Sequence, residues 1–180
     1  ELVICCDSKH YWRRDYFPNY KIHRKKDREA SGQDWDAIFF CINNIRDELK
    51  ELFPYKVVEA YGAEADDIIA TLVGREKTLI LSSDKDFIQL HSDITDQYSP
   101  VTKKIINGKD PVKYLQEHIL KGDRSDGVPN VLSPDHTFTE GLRQRPLGKK
   151  KIEKILDEGY PNDEIERNAQ RNEKLIDLTK

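Results

Sequence analysis

Short apolar runs alternate with longer amphipathic stretches along this chain of 180 residues. Residues 2–6, 56–59 and 78–81 are brief and rich in apolar or β-branched side chains, which predicts three strands. Residues 34–53 predict a helix, because isoleucine and leucine recur at alternating steps of four and three and Pro54 follows the stretch. The side chains of this stripe are Ile38, Ile42, Ile45, Leu49 and Leu52.

Further along the chain the same pattern predicts shorter elements. Helices are expected over residues 64–73, 86–91, 111–120, 149–157 and 164–178. Residues 94–99 and 103–106 predict paired edge strands, and residues 122–134 predict a turn-rich loop. Residues 9–32 have no clean period and are too long for a plain connector, so we interpret them as a functional or mobile segment. Strands that alternate with helices predict an α/β fold with a mainly parallel central sheet flanked by helices.

The composition fits one domain, or one domain with a small lobe. Hydrophobic residues make up 37% of the chain and charged residues 35%. No apolar stretch has membrane-spanning length and no signal peptide is visible, so we expect a soluble cytoplasmic protein with no membrane partner. Cys5, Cys6 and Cys41 lack the spacing of a metal site or a disulfide framework, and we expect buried free thiols.

Charge is segregated along the chain, although the net charge is only −3. Residues 9–28 hold eight lysines and arginines, and residues 143–154 hold six. The acidic residues gather instead in short motifs after the apolar runs. A chain with this pattern can bind a polyanion through its basic segments and a cation through its carboxylates.

Carboxylates follow each of the three predicted strands and recur in the turn-rich loop. Because ligands of such sheets bind at the carboxyl ends of the strands, we expect these side chains to meet. The helix dipole alone explains acids at one helix start, but it explains four separate clusters poorly. The clusters consist of Asp7; Glu64, Asp66 and Asp67; Asp84 and Asp86; and Asp123 and Asp126.

Crowded carboxylates repel one another and tolerate closeness only with bound cations. Oxygen ligands favour Mg²⁺ or Mn²⁺ over Zn²⁺, and the sequence indicates no histidine or cysteine set nearby. Two such ions about 3.5–4 Å apart form the clamp of in-line phosphodiester cleavage. The carboxylates therefore predict a metal-dependent phosphodiesterase centre.

Aromatic and basic side chains are interleaved in residues 9–32. Such a mixture suits single-stranded nucleic acid, because rings stack on bases and cations meet phosphates. The alternative interpretation is a solvated basic loop. The residues concerned are Tyr11, Trp12, Arg13, Arg14, Tyr20, Lys21, Arg24, Lys25 and Lys26.

Four ordered motifs resemble the signatures of the flap endonuclease family of 5′ nucleases. They are Trp12-Arg13 with Pro18-x-Tyr20-Lys21-x-x-Arg24, then Glu64-Ala65-Asp66-Asp67, Ser83-Asp84-Lys85-Asp86 and Gly122-Asp123-x-x-Asp126. The resemblance implies a PIN-like nuclease core over residues 1–121, with an arch inserted at residues 9–33. It also implies a helical, helix–turn–helix type lobe over residues 122–180 that binds duplex DNA.

Carried over position by position, the resemblance implies a role for each motif residue. Asp7, Glu64, Asp66 and Asp84 would surround a first metal ion, and Asp86, Asp123 and Asp126 a second. Asp67 would support these ligands or cap the helix. Lys21 would reach the scissile phosphate with help from Arg13 and Arg24. The implied DNA contacts are Tyr11, Trp12, Arg14, Tyr20, Lys25, Lys26, Gly148, Lys149, Lys150 and Lys151.

The implied activity is 5′-3′ exonuclease and flap endonuclease cleavage, including RNA primer removal in replication and repair. Its cofactors would be two Mg²⁺ ions, replaceable by Mn²⁺, with a monovalent cation in the helical lobe. Its partners would be DNA or an RNA–DNA hybrid with a 5′ end or flap, and replication proteins. The setting implied is bacterial or phage-infected cytoplasm.

The match to the family pattern has three departures. The family has one more catalytic aspartate on an earlier strand, but only six residues precede Asp7. A truncated chain, missing residues or a gene split into two polypeptides would explain this, and we expect weak or absent activity from the chain alone. Gly127 stands where the family usually has asparagine, and the Gly-x-Gly turn is reduced to Arg145-Pro146-Leu147-Gly148.

Two alternatives stay open at this point, and a third is weaker. A PIN-type endoribonuclease shares the carboxylate pattern but needs neither the arch nor the duplex-binding helices. A non-catalytic half of a split nuclease would bind forked DNA, and a complementary N-terminal polypeptide would restore cutting. A phosphatase built on Asp84-x-Asp86 would need that pair after the first strand rather than a later one.

Overall fold

The computed structural model describes residues 1–180, which form two compact units. The first unit comprises residues 1–69 and the second residues 70–180. We predicted a nuclease core over residues 1–121 and a helical, DNA-binding lobe over residues 122–180, and this functional division stays a proposal. None of the helices combines the length and the apolar character needed to cross a membrane.

The first unit contains a two-stranded parallel sheet and three helices, and a fourth helix begins at its end. Its strands pair with Ile4 opposite Val57 and Cys5 opposite Val58. Because the strands are parallel, their carboxyl ends lie at the same edge of the sheet. The elements are β1 (Val3–Cys6), α1 (Trp12–Tyr16), α2 (His23–Ala30), α3 (Trp35–Leu52), β2 (Lys56–Glu59) and α4 (Ala65–Leu72).

Helix α3 has the predicted bounds but not the predicted environment. It begins where the Asp34 carboxylate accepts a hydrogen bond of 3.0 Å from the Ala37 N–H. None of its residues is buried, and Ile42 and Leu52 are 54% and 73% exposed. The expectation that Cys41 is a buried thiol is wrong, because it lies on this exposed helix; Cys5 and Cys6 are half-buried, and all three thiols are free.

Residues 9–32 are more ordered than their sequence pattern indicated. They contain helices α1 and α2, and the turn between them buries Phe17 and Tyr20. Helix α1 has only five residues, too short for a helical period to show in the sequence. Tertiary contacts made by Arg13, Phe17 and Tyr20 hold this segment in place.

The second unit contains a mixed sheet and the helices that follow it. β3 and β4 are parallel. β4 and β5 pair antiparallel, which confirms the predicted pairing of the edge strands. The α/β fold with mainly parallel strands is therefore confirmed, with the strands hydrogen-bonded as two separate sheets. The elements are β3 (Thr78–Leu81), the 3₁₀ helix Lys85–Leu90, β4 (Thr95–Ser99), β5 (Lys104–Ile106), α5 (Pro111–Lys121), α6 (Lys149–Glu158) and α7 (Asp163–Ile176).

The core of the second unit joins α5 to the two C-terminal helices. It also includes part of the loop between α5 and α6, so the loop is anchored on both sides. Its buried side chains are Leu120, Val131, Leu132, Ile152, Ile155, Ile165 and Ala169.

Buried amides of α7 hold the backbone of this loop. The Asn168 side chain donates to the Val131 carbonyl at 3.0 Å, and Asn172 donates to the carbonyls of Ile119 and Pro129 at 2.8 and 2.9 Å. These bonds satisfy backbone carbonyls, and the Pro129 carbonyl also accepts from Arg171 Nη2 at 3.0 Å. The loop after α5 is therefore fixed rather than free to reorganise.

Gly122 ends α5 in a conformation that other residues rarely adopt. Its φ is +67°, and its N–H donates to the His118 carbonyl at 2.8 Å. A Cβ at this position would lie 2.4 Å from the Val128 carbonyl oxygen and 2.6 Å from Pro129 backbone atoms. The chain can therefore fold back onto itself here only because residue 122 has no side chain.

Candidate metal centre and nucleic-acid interface

Asp7 and the acidic start of α4 come together at the edge of the first sheet. The Asp7 carboxylate accepts a hydrogen bond of 2.7 Å from the Ala65 N–H. Asp66 lies half-buried in the first turn of α4. The Asp67 carboxylate accepts from the Glu64 N–H at 2.9 Å, which is the capping role expected for it.

Glu64 is a buried carboxylate surrounded by donors from residues 9–32. It is 3% exposed. One carboxylate oxygen accepts from Arg13 Nη1 and from the Tyr20 hydroxyl, both at 3.0 Å, and the other accepts from Lys21 Nζ at 2.6 Å. Charge-assisted bonds of this kind are the strong ones, so Glu64 ties this segment to the start of α4.

Arg13 occupies the interior of the first unit. It is 1% exposed and pairs with Glu64 and with Asp67, whose Oδ1 lies 2.6 Å from Arg13 Nη2. Burial alone would lower the pKa of the guanidinium, but the bond to Asp67 and the nearby acids raise it above the usual value. Arg13 and Tyr20 are thus bound within the protein, whereas the sequence pattern assigned them to the substrate.

Lys21 lies beside the same carboxylate in an uncommon backbone conformation. Its φ is 53°, in the left-handed region that residues other than glycine seldom occupy. The surrounding contacts must hold this conformation, because it costs energy in isolation. They include the 2.6 Å ion pair with Glu64 and the Tyr20 ring, whose centre is 4.9 Å from Nζ.

Other cations of residues 9–32 face the solvent. Arg14, Arg24, Lys25 and Lys26 are exposed, while Tyr11 and Trp12 are half-buried. The Trp12 ring N–H donates to Asp67 at 3.3 Å. The exposed members could meet phosphates, as the sequence pattern indicated, and the half-buried rings also serve the internal packing.

The second unit places Asp84 and Asp86 around the start of the 3₁₀ helix. The Asp84 carboxylate accepts from the Asp86 N–H at 3.0 Å and caps this helix. The buried Gln97 side chain donates to the carbonyls of Ser82 and Asp84 at 2.9 and 2.5 Å. Because Gln97 lies on β4, it fixes the turn that carries both carboxylates.

Asp123 organises the loop after α5. Its Oδ1 accepts from the Ser125 N–H, the Ser125 hydroxyl and the Asp126 N–H at 2.6, 2.7 and 3.2 Å. Burial alone would raise the pKa of Asp123, but the bonds from His118 and Ser125 outweigh it and hold the pKa below its usual range. The carboxylate therefore stays ionised and keeps Asp126 in place.

His118 is a member of this cluster that sequence reasoning missed. Its Nδ1 lies 3.5 Å from Asp86 Oδ1, and its Nε2 lies 3.5 Å from Asp123 Oδ2. Donor atoms of Asp86, His118 and Asp123 all lie within 4.8 Å of one another. The sequence indicated no histidine or cysteine set near the carboxylates, but the fold places the single histidine His118 between two of them.

Asp86 is the carboxylate most affected by this crowding. Burial, followed by the charges of Asp84, Asp123 and Asp126, raises its pKa to about 7, although His118 acts in the opposite direction. A raised carboxylate pKa means that the ionised cluster is unfavourable without a cation. These donors therefore fit a divalent metal ion.

The start of α6 exposes the basic group predicted to bind duplex DNA. Gly148 is the N-cap and Lys149, Lys150 and Lys151 form the first turn, all exposed. Cations at a helix N-terminus oppose the helix dipole, so this arrangement does not serve helix stability. It does suit an anion, because the N-terminal backbone N–H groups of a helix attract negative charge and the lysines add positive charge beside them.

The fold agrees with the comparisons with known proteins. Residues 1–118 match the family described as the 5′-3′ exonuclease, N-terminal resolvase-like domain, and the chain belongs to this family. The ordered motifs resemble the ribonuclease H of T-even bacteriophages in particular. The ribonuclease H of Enterobacteria phage T4 is 39% identical over 172 residues, which cover 88% of this chain and 56% of that protein.

Solved structures resemble the chain over nearly its whole length. The bacteriophage T5 D15 protein co-crystallised with metal ions has a TM-score of 0.72 at 20% identity, covering 98% of this chain and 75% of that one. The T5 D15 flap endonuclease in a pseudo-enzyme–product complex with DNA and metal ions has a TM-score of 0.69 at 18% identity, covering 98% and 73%. These likenesses confirm the fold, including the C-terminal helices.

The chain spans about half the length of the curated relatives that it matches. The structure brings Asp7 to the start of α4 in the first unit, and Asp86 to Asp123 in the second. That all seven predicted ligands serve one two-ion centre stays a prediction.

Proposed function

We propose that the protein is a divalent-metal-dependent, structure-selective 5′ nuclease. The observation that carries this proposal is the clustering of Asp84, Asp86, Asp123 and Asp126, where burial and then the neighbouring carboxylates raise the pKa of Asp86 to about 7. Family membership supports the same reaction class. The proposed substrates are DNA or RNA–DNA hybrids with a 5′ end or flap, including RNA primers.

The metal is proposed to be Mg²⁺, with Mn²⁺ as a substitute. Bound divalent ions would activate the attacking water and stabilise the leaving oxygen. Asp86, Asp123 and Asp126 would hold one ion, and Asp7, Glu64, Asp66 and Asp84 are the proposed ligands of the other. We retain the monovalent cation of the helical lobe as a proposal from the family resemblance.

The first unit would receive the single-stranded end of the substrate. Exposed Arg14, Arg24, Lys25 and Lys26 offer positive charge to phosphates. Lys21 would offset charge on the scissile phosphate, because its ammonium lies beside the acidic start of α4. Arg13 is proposed to act through Glu64 and Asp67, which it holds in position.

Residues 122–180 would hold the duplex next to the cleavage point. The lysines and N–H groups at the start of α6 fit phosphates without reading bases. The family pattern needs one more aspartate than the motifs found in residues 1–180. We propose that full turnover needs a segment supplying it, in the same polypeptide or a complementary one, and that replication proteins direct the enzyme to its substrates.

Cleavage of matched substrates tests this function. With a segment that supplies the further aspartate present, we expect 5′-flap DNA to be cut in Mg²⁺ and Asp86→Asn to lower kcat at least about 100-fold, since a metal ligand is lost. Asp93→Asn is the matched control, because Asp93 is exposed and outside the cluster. Cutting of single-stranded RNA in preference to the flap would favour a PIN-type endoribonuclease. Flap binding without cutting, even with the N-terminal segment added, would favour a non-catalytic module.

A further inference from the structure

A buried ring nitrogen faces the carboxylates of the second unit. His118 Nδ1 is shielded from solvent and has no hydrogen-bond partner. The Asp86 oxygen closest to it is 3.5 Å away, outside hydrogen-bonding geometry. A buried polar atom without a partner is rare and calls for an explanation.

The other ring nitrogen is held in place. Nε2 lies 3.5 Å from Asp123 Oδ2, and the Tyr114 ring packs edge-on at 5.6 Å between ring centres. The second oxygen of Asp123 is already occupied by Ser125 and Asp126 donors. One oxygen of Asp123 therefore lies beside the imidazole, and the other accepts hydrogen bonds that fix the loop.

This orientation has an electrostatic consequence. An imidazole that donates from Nε2 to Asp123 presents its Nδ1 lone pair to the Asp86 carboxylate. When the ring is neutral, these two electron-rich atoms 3.5 Å apart repel each other unless a metal cation lies between them. When the ring is protonated, the proton on Nδ1 has no hydrogen-bond partner, so a metal ion satisfies this nitrogen better than a proton does. Two donors bound to one ion at about 2.1 Å each lie about 3.0–3.5 Å apart, so the spacing suits a shared ion.

We propose that His118 Nδ1 is a direct metal ligand together with Asp86, and that Asp123 also orients the His118 ring through Nε2. Histidines that bind metals commonly donate their second nitrogen to a carboxylate in this way. The inference rests on the proposed metal dependence and deepens it. It specifies that the His118 side chain contributes more to the affinity for Mn²⁺ than to the affinity for Mg²⁺, because imidazole nitrogen favours transition ions.

Pulsed electron paramagnetic resonance with Mn²⁺ tests this ligand set without substrate. We expect the saturated wild-type protein to show nitrogen coupling to the bound ion. His118→Gln keeps a polar side chain of similar reach and should abolish the coupling. His136→Gln is the matched control and should retain it, because His136 is an exposed histidine beside Glu140.

Binding of the metals alone gives a second measurement. We expect His118→Gln to weaken Mn²⁺ binding about tenfold or more by calorimetry while Mg²⁺ binding changes less than about threefold. The wild-type spectrum does not depend on whether the variant folds, so the proposal stays testable if His118→Gln is unstable.

The outcomes separate this inference from the proposed function. Bound Mn²⁺ without nitrogen coupling, or coupling that persists in His118→Gln, overturns the histidine ligand and leaves the nuclease proposal standing. Failure of Mn²⁺ to bind overturns both. Nitrogen coupling in a protein that cuts no flap or hybrid substrate supports the ligand set and overturns the proposed function alone.

Discussion

At the scale of single residues, burial distinguishes cations that bind the protein from cations available to a substrate. Arg13 and Arg14 are neighbours in sequence, yet Arg13 is buried against Glu64 and Asp67 while Arg14 is exposed. A buried ion pair is costly to break, because the partner left behind keeps an uncompensated charge. The two arginines should therefore respond very differently to the same substitution.

We expect Arg13→Met to lower the free energy of unfolding by about 3 kcal/mol, measured by chemical denaturation. Arg14→Met should change it by less than about 0.5 kcal/mol, as is usual for an exposed site. If Arg13→Met instead leaves stability unchanged and weakens DNA binding, Arg13 contacts the substrate as its sequence motif implied.

Asp86 gives the metal-free protein a pH-dependent stability. Its pKa is raised from 3.8 to about 7 on folding, first by burial and then by neighbouring carboxylates. The folded protein therefore binds this proton more tightly than the unfolded chain. The stabilisation is complete below about pH 4 and is lost as the pH rises to about 7.

With a chelator present, we expect Tm of the wild type to fall relative to Asp86→Asn by at least about 3 °C between pH 4 and pH 7. Asp93→Asn, which lies outside the cluster, should follow the wild type throughout. Parallel Tm curves for wild type and Asp86→Asn would show that the carboxylate has an ordinary affinity for protons.

At the scale of elements, the sequence patterns predicted the positions of the strands correctly. They predicted the contacts around the elements less well. β2 and β3 have the predicted bounds, because short apolar runs between turn residues have few alternatives. The apolar stripe of isoleucine and leucine on α3 predicted a helix correctly, but it did not predict that the helix is exposed. Periodicity shows which residues share a helix face and does not show whether another element packs on that face. Helices α1 and α2 left no periodic signal: α1 has only five residues and is held by the buried Arg13, and α2 buries no residue.

In the candidate site, too, the positions of residues along the chain were predictable, while distances that depend on packing were not. Carboxylates at strand ends were predictable, because chain direction alone places them at one edge of a sheet. His118 was not, since its distance to Asp86 depends on how α5 packs against the 3₁₀ helix. Its place in the last turn of α5, five residues before Asp123, was the only available signal.

The start of α6 can be tested as one element. We expect Lys150→Ala with Lys151→Ala to lower the slope of log affinity against log salt by about two for duplex DNA, about one for each lost phosphate contact. Lys104→Ala with Lys109→Ala removes the same charge from other exposed positions of the second unit and should leave the slope unchanged. Equal effects of the two double variants would indicate non-specific attraction.

At the scale of the whole molecule, metal binding should be coupled to folding. Carboxylates that repel one another in the metal-free protein gain a counter-charge when a divalent ion binds, and binding to the folded state stabilises it. We expect saturating Mg²⁺ to raise Tm by about 5 °C. The shift should be smaller in Asp84→Asn and Asp86→Asn and unchanged in Asp93→Asn; an unresponsive wild type would contradict the metal site.

The positions of the proposed metal ligands Asp123 and Asp126 depend on Gly122, a residue without a functional group. A methyl group there would press on the Val128 and Pro129 carbonyl groups. The Pro129 carbonyl cannot easily move, because Asn172 and Arg171 both donate hydrogen bonds to it. We expect Gly122→Ala to displace Asp123 and Asp126 and to abolish metal-induced stabilisation, measured by thermal melting. Ser125→Ala is the comparison, because it removes one loop hydrogen bond without adding bulk. The absence of a side chain at residue 122 thus determines how closely the acidic loop approaches helix α5.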